Sequence, residues 1–124
     1  MSYSSHALLA VLAVACPATA AAQNCRHAMT QGEMNECAAQ DHAREDARLN
    51  DTYRDLASKL KPAQRDKLRS VQRVWLSYRD MNCDFRSAAY QGGTIYPLVR
   101  SMCLAEMTSQ RTEDLKARLE EADR

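Results

Sequence analysis

The chain has 124 residues, enough for one ordinary core and too few for a two-domain enzyme. Three glycines and three prolines in a chain rich in Ala, Leu, Met, Arg, Glu and Asp favour helix over sheet or disorder. Seventeen Lys and Arg against 16 Asp and Glu leave a net charge of +1, so no strong field draws the protein to nucleic acid or anionic lipid.

The N-terminus is read first, because five cysteines leave one without a partner. Residues Ala7 to Cys16 form an uncharged apolar run, followed by Pro17 and a small-residue tract from Ala18 to Ala22. Such a run is too short to cross a bilayer, for which roughly 20 apolar residues are needed, and it suits the core of a signal peptide. Residues 1–22 are therefore expected to be a cleaved leader, with residues 23–124 as the mature helical domain. Ala20 is the alternative cleavage point. A second reading takes Ala13 to Cys16 as a degenerate lipobox that anchors the protein by lipid at Cys16. Cleavage removes Cys16 and leaves an even set, Cys25, Cys37, Cys83 and Cys103, which implies export to a periplasm or the cell exterior and two disulfides.

The mature chain divides into three predicted helices. Thr30-Gln31-Gly32-Glu33 is a capping box, and Met34, Ala38, Leu49, Tyr53, Leu56 and Leu60 follow it at helical spacing. Pro62 ends that helix and opens the next. In the second helix Leu68, Val71, Trp75, Tyr78, Asn82, Phe85 and Ala89 alternate three and four apart, which predicts a core-facing stripe, and Gly92-Gly93 stops it. Pro97 opens a third helix reaching about Glu120, with Leu98, Met102, Ala105, Leu115 and Leu119 as its apolar positions. The expected fold is an all-α, three-helix antiparallel bundle stabilised by two disulfides. Counting from the turns near Lys61 and Gly93 places all four cysteines at one end. Cys25–Cys37 with Cys83–Cys103 is the favoured pairing, and Cys37–Cys83 with Cys25–Cys103 fits the same heights.

Charge is segregated although it sums to nearly zero. Residues 30–55 hold seven acids against three bases, and residues 59–79 hold seven bases against Asp66. These stretches read as complementary faces of the first hairpin, or as a basic patch for an acidic partner. His27 and His42 sit in no nucleophile-elbow context, and the cysteine spacings lack the short intervals of zinc knuckles. No catalytic, cofactor or metal residue is assigned, and the protein is not expected to be an enzyme. Gln72, Trp75, Arg79, Asp80 and Cys83 form the most distinctive cluster, read as a structural motif in which Arg79 meets Asp46 or Asp41. The loop of Gly92, Gly93, Thr94, Ile95 and Tyr96 is the candidate protein-binding edge.

Glu33-Met34-Asn35-Glu36-Cys37-Ala38, Asp46-x-x-Leu49-Asn50-x-x-Tyr53, Gln72-x-x-Trp75-x-x-x-Arg79-Asp80-x-x-Cys83, Gly92-Gly93 and Cys103-x7-Arg111-Thr112-x-x-Leu115 together resemble the LprI-like family of lysozyme inhibitors. The resemblance spans almost the whole mature chain. It implies a small exported helical domain with disulfides and a protein partner, lysozyme. An inhibitor of this kind is expected to obstruct the substrate cleft with a loop, and residues 92–97, with their glycines and Tyr96 as an exposed aromatic, are the candidate. A basic lysozyme would be met by the acidic first helix. The other expected role is a non-inhibitory envelope protein that binds an acidic partner through its basic second helix.

Overall fold

A computed structural model describes residues 25–124. The leader read at residues 1–22 and the alternative anchor at Cys16 lie outside the described residues. Three helices follow one another: α1 (Gln31–Lys59), α2 (Pro62–Ser87) and α3 (Tyr96–Ala122), with one 3-10 turn at Cys25–His27 and another at Ala88–Tyr90. The all-α bundle read from the sequence is the architecture found.

Local chemistry sets each boundary. Thr30 Oγ1 accepts from Glu33 N–H at 3.1 Å, and Glu33 Oε2 accepts from Thr30 N–H at 3.0 Å and from Met29 N–H at 2.8 Å, so the capping box forms as predicted. Leu60 and Lys61 are extended, as the residue before Pro62 must be to avoid the proline ring, and these two residues reverse the chain. α2 ends at Ser87, before the glycines that were expected to stop it. Ser87 Oγ donates back to Cys83 C=O at 2.7 Å, a bond that competes with the ladder and leaves the tighter 3-10 turn to follow. Gly92, at φ 84°, then makes the turn that only a residue without Cβ adopts freely.

α1 and α3 run parallel and close together, with α2 antiparallel to both. Asn35 at the start of α1 donates to Thr94 C=O just before α3, and Lys59 at the end of α1 pairs with Asp123 beyond α3. α3 is the central helix, and α2 packs chiefly on it. The close approach follows from small side chains at the seam: Ala38 on α1, and Thr108 and Thr112 on α3, are buried.

The core is layered. At the end where α1 closes, Leu49, Leu56 and Leu115 are buried, with Tyr53, Leu60, Leu68, Trp75 and Leu119 packed around them. At the other end Cys83, Cys103 and Leu104 form a second cluster against Met107. Between the two lies a polar layer built on Arg79.

The stripe expected to bury α2 is displaced. Val71, Tyr78 and Phe85 are exposed, and Gln72, Arg79, Cys83 and Ser87 face inward instead. The Cys83–Cys103 disulfide fixes the rotation of α2: with Cys83 turned toward α3, Arg79 and Ser87 four residues away share that face. Trp75 and Leu68 from the expected stripe stay half-buried at the margin of the core.

The charges segregate differently from the complementary hairpin faces read in the sequence. The acids of α1 pair mostly within their own helix, as Asp41–Arg44, Glu45–Arg48 and Asp51–Arg54. Cross-helix pairs run mainly to α3, as Arg48–Glu113, Arg86–Glu106 and Asp84–Arg100. Only Arg79–Asp46, at 3.3 Å, ties an α1 acid to an α2 base among the described ion pairs.

Candidate functional site: a braced loop at the disulfide end

Both disulfides form in the favoured pairing, Cys25–Cys37 and Cys83–Cys103, and both lie at the end where α1 and α3 begin. Met102 lines both the groove beside Cys25–Cys37 and the groove beside Cys103. The second bridge clamps the α2–α3 connection across 20 residues and holds the intervening loop at both ends.

That loop is internally bonded. Gly93 N–H donates to Tyr90 C=O at 3.0 Å, and Tyr96 N–H donates to Gly93 C=O at 3.2 Å. From the side, Asn35 Nδ2 of α1 donates to Thr94 C=O at 2.9 Å. Asn35 is itself held by Gln31, whose Nε2 donates to Asn35 Oδ1 at 2.9 Å. Gly93 has little room for a side chain, because a Cβ there would stand 3.2 Å from Tyr90 C=O. The predicted loop residues Gly92, Gly93, Thr94 and Ile95 are all exposed, with Tyr90 beside them. Tyr96 departs from the expected exposed aromatic: it is the first residue of α3 and half-buried. Tyr90 supplies the exposed ring instead, and nothing in the sequence pattern set it apart from its neighbours.

The Gln72, Trp75, Arg79, Asp80 cluster lies on α2 outside the 92–96 loop, and Arg79 ties it to the other two helices. Arg79 is buried, and its guanidinium donates to Asp80 Oδ1 at 2.9 Å, to Asp46 Oδ1 at 3.3 Å and to Thr108 Oγ1 at 3.2 Å, so one side chain joins all three helices. Asp46 is the α1 partner; Asp41 pairs with Arg44. Trp75 carries two guanidinium groups over its ring, Arg79 at 5.5 Å and Arg111 at 5.7 Å from the centroid. Arg111 Nε also donates to Gln72 Oε1 at 3.1 Å, and partial burial pushes its pKa below the ordinary arginine range. The burial of Thr108 and Thr112 was not legible in the apolar spacing of α3, which polar residues interrupt, although Thr112 belongs to the motif that carries the family resemblance. The signal was the run Leu104, Thr108, Thr112, Leu115, Leu119, which keeps one helical face when threonine is counted.

His42 borders the same polar layer. Its Nδ1 is buried without a hydrogen-bond partner, and burial, helped by Arg79, lowers its pKa against the opposing pull of Asp46 and Asp80. His27 is exposed in the first 3-10 turn. Among the described residues no group of His, Cys, Asp and Glu could hold a metal ion, and no helix is long and apolar enough to cross a membrane.

These features define a class: a small helical scaffold, braced by two disulfides and a polar layer, that presents a fixed loop at one end. The family model for the lysozyme inhibitor LprI matches residues 21–115, and the chain belongs to that family. An uncharacterized protein of Rhizobium meliloti (strain 1021) is 35% identical over 129 residues, covering 90% of this chain and 93% of that protein. No solved structure matches the chain.

Proposed function

We propose that this protein is an exported inhibitor of lysozyme, acting by binding and without catalysis, and that the loop from Gly92 to Tyr96 enters the enzyme's substrate cleft. Family membership supplies the partner class. The observation that supports the loop as the contact is its bracing: bonds to Tyr90, Gly93 and Asn35 fix it before any partner arrives. A loop already in its bound shape forfeits little conformational entropy on docking, which is how a small contact gains affinity. Ile95 and Tyr90 are the side chains available to enter a pocket.

Export follows from the leader read at residues 1–22 and agrees with two disulfides, which persist in oxidising compartments. Asp41, Glu45 and Asp51 pair with arginines of α1, and the helix still carries an excess of acids that would attract a basic lysozyme, while contact at the loop itself depends on shape. A second reading has one observation in its favour: Lys61 at the cap of α2 and Arg65, Lys67, Arg69 and Arg73 along its first half are all exposed, a surface for an acidic partner.

Turnover of several lysozyme classes, measured with the purified protein in low and high salt, separates the two readings. Inhibition at micromolar protein that survives high salt supports loop insertion. Full turnover of every class, with salt-sensitive capture of an acidic envelope polymer, supports the alternative.

A further inference from the structure

The α2 residues displaced from the core do not scatter. Val71, Val74, Tyr78, Met81 and Phe85 recur at steps of three and four, and each is between 55% and 80% exposed. This is the 3.5-residue period of a coiled-coil seam, turned away from the buried face of Gln72, Arg79, Cys83 and Ser87. Scattered exposed apolar residues need no explanation, but a continuous seam along a helix does.

The seam carries both halves of a knob-into-hole contact. Val71, Val74, Trp75 and Tyr78 stand at i, i+3, i+4 and i+7, the four corners of a coiled-coil hole, and with Ser70 and Arg111 they line an almost wholly apolar groove of about 450 Å³. Phe85, the most exposed member of the seam, is a knob of matching size farther along the same helix.

We propose that this face pairs with a second copy of the chain, α2 against α2 in antiparallel register, with Phe85 of each copy seated in the groove of the other. In that register Val74 lies opposite Phe85 and Tyr78 opposite Met81, so large side chains meet smaller ones and a thioether meets a ring. The contact is its own two-fold mate and closes as a dimer. The margins of the seam add no like-charge clash: Ser70 and Ser77 flank it on one side and Trp75 and Asn82 on the other, and the one charge there, Asp84, is already paired with Arg100 of α3 at 2.8 Å. The exposed area of the five seam residues comes to roughly 600 Å² per copy, so these side chains can bury at most on the order of 1,200 Å² in the pair, the lower edge of a stable specific interface. An interface of that size fits a reversible dimer. The loop from Gly92 to Tyr96 is not part of the seam.

Sedimentation equilibrium of the purified protein from about 1 to 500 µM, alongside Phe85→Glu and Val74→Arg, tests this. Both substitutions fall on exposed positions, and circular dichroism checks that the helices persist. The expected result is a concentration-dependent dimer in the wild type and a weakening of at least tenfold in each variant, with unchanged helix content. A wild type that stays monomeric to 500 µM overturns the proposal, whether or not the face binds lipid vesicles instead. So does a dimer that both variants preserve.

Discussion

Arg79 shows how one residue can hold a small bundle together. Its guanidinium is buried among Asp46 of α1, Asp80 of its own helix and Thr108 of α3, and it lies against the Trp75 ring. Removing it leaves Thr108 without its inter-helix donor and Asp46 without its cation. Arg79→Ala should therefore cost about 2–4 kcal/mol in urea unfolding, and Asp46→Asn less, since Asp46 is partly solvated. His42 and Glu33 give the pH dependence two separate windows. Burial lowers His42 below its ordinary 6.5, with Arg79 and Arg100 reinforcing the shift and Asp46 and Asp80 opposing it. The unfolded chain thus takes up a proton that the folded chain resists, and stability falls as pH drops below about 6.5 until folded His42 also titrates. Backbone bonds from Thr30 and Met29 hold Glu33 below its ordinary 4.5, so its contribution is full above that value and is lost as pH falls through the lowered one. Thermal midpoints from pH 8 to pH 3 should show both declines. His42→Leu should remove the upper one and Glu33→Gln the lower.

At the scale of elements, capping and punctuation were legible and rotation was not. Thr30, Glu33 and Pro62 act through their own backbone neighbours, so their effect is written locally, and α1 and α2 begin where these residues indicate. Which face of α2 turns inward depends on a distant partner. Two interleaved lines compete there, one apolar through Val71, Tyr78 and Phe85, the other through Gln72, Arg79 and Cys83, and the disulfide to Cys103 selects the second. The loop site was legible in its glycines, whose conformation is a local property. Its brace by Asn35 was not, because that bond spans 59 residues. The two disulfides should also differ in weight. Cys83 and Cys103 are buried between helices, whereas Cys25 is exposed and ties down a short strap. Replacing Cys83 and Cys103 together by serine should cost about 3 kcal/mol in denaturant unfolding. Replacing Cys25 and Cys37 should cost less and leave the near-ultraviolet signal of Trp75 unchanged.

Taken whole, the molecule has a rigid end and an apolar flank. Two disulfides and the Asn35 bond fix the 92–96 loop, while α3, parallel to α1 and antiparallel to α2, keeps the bundle closed beneath it. Net charge is near zero over the whole chain although α1 keeps an excess of acids, and the loop itself, Gly92 to Tyr96, is uncharged, so its contact relies on shape. The measurement that bears most directly on this account is the inhibition constant against a lysozyme that the wild type inhibits, compared for wild type, Ile95→Asp and Phe85→Glu. Ile95→Asp puts a charge on the exposed loop without touching the core, and should weaken inhibition at least tenfold while Phe85→Glu leaves it unchanged. Equal inhibition by wild type and Ile95→Asp would contradict the loop as the inhibitory contact, and full enzyme turnover with the wild type across all lysozyme classes would contradict the inhibitor reading itself.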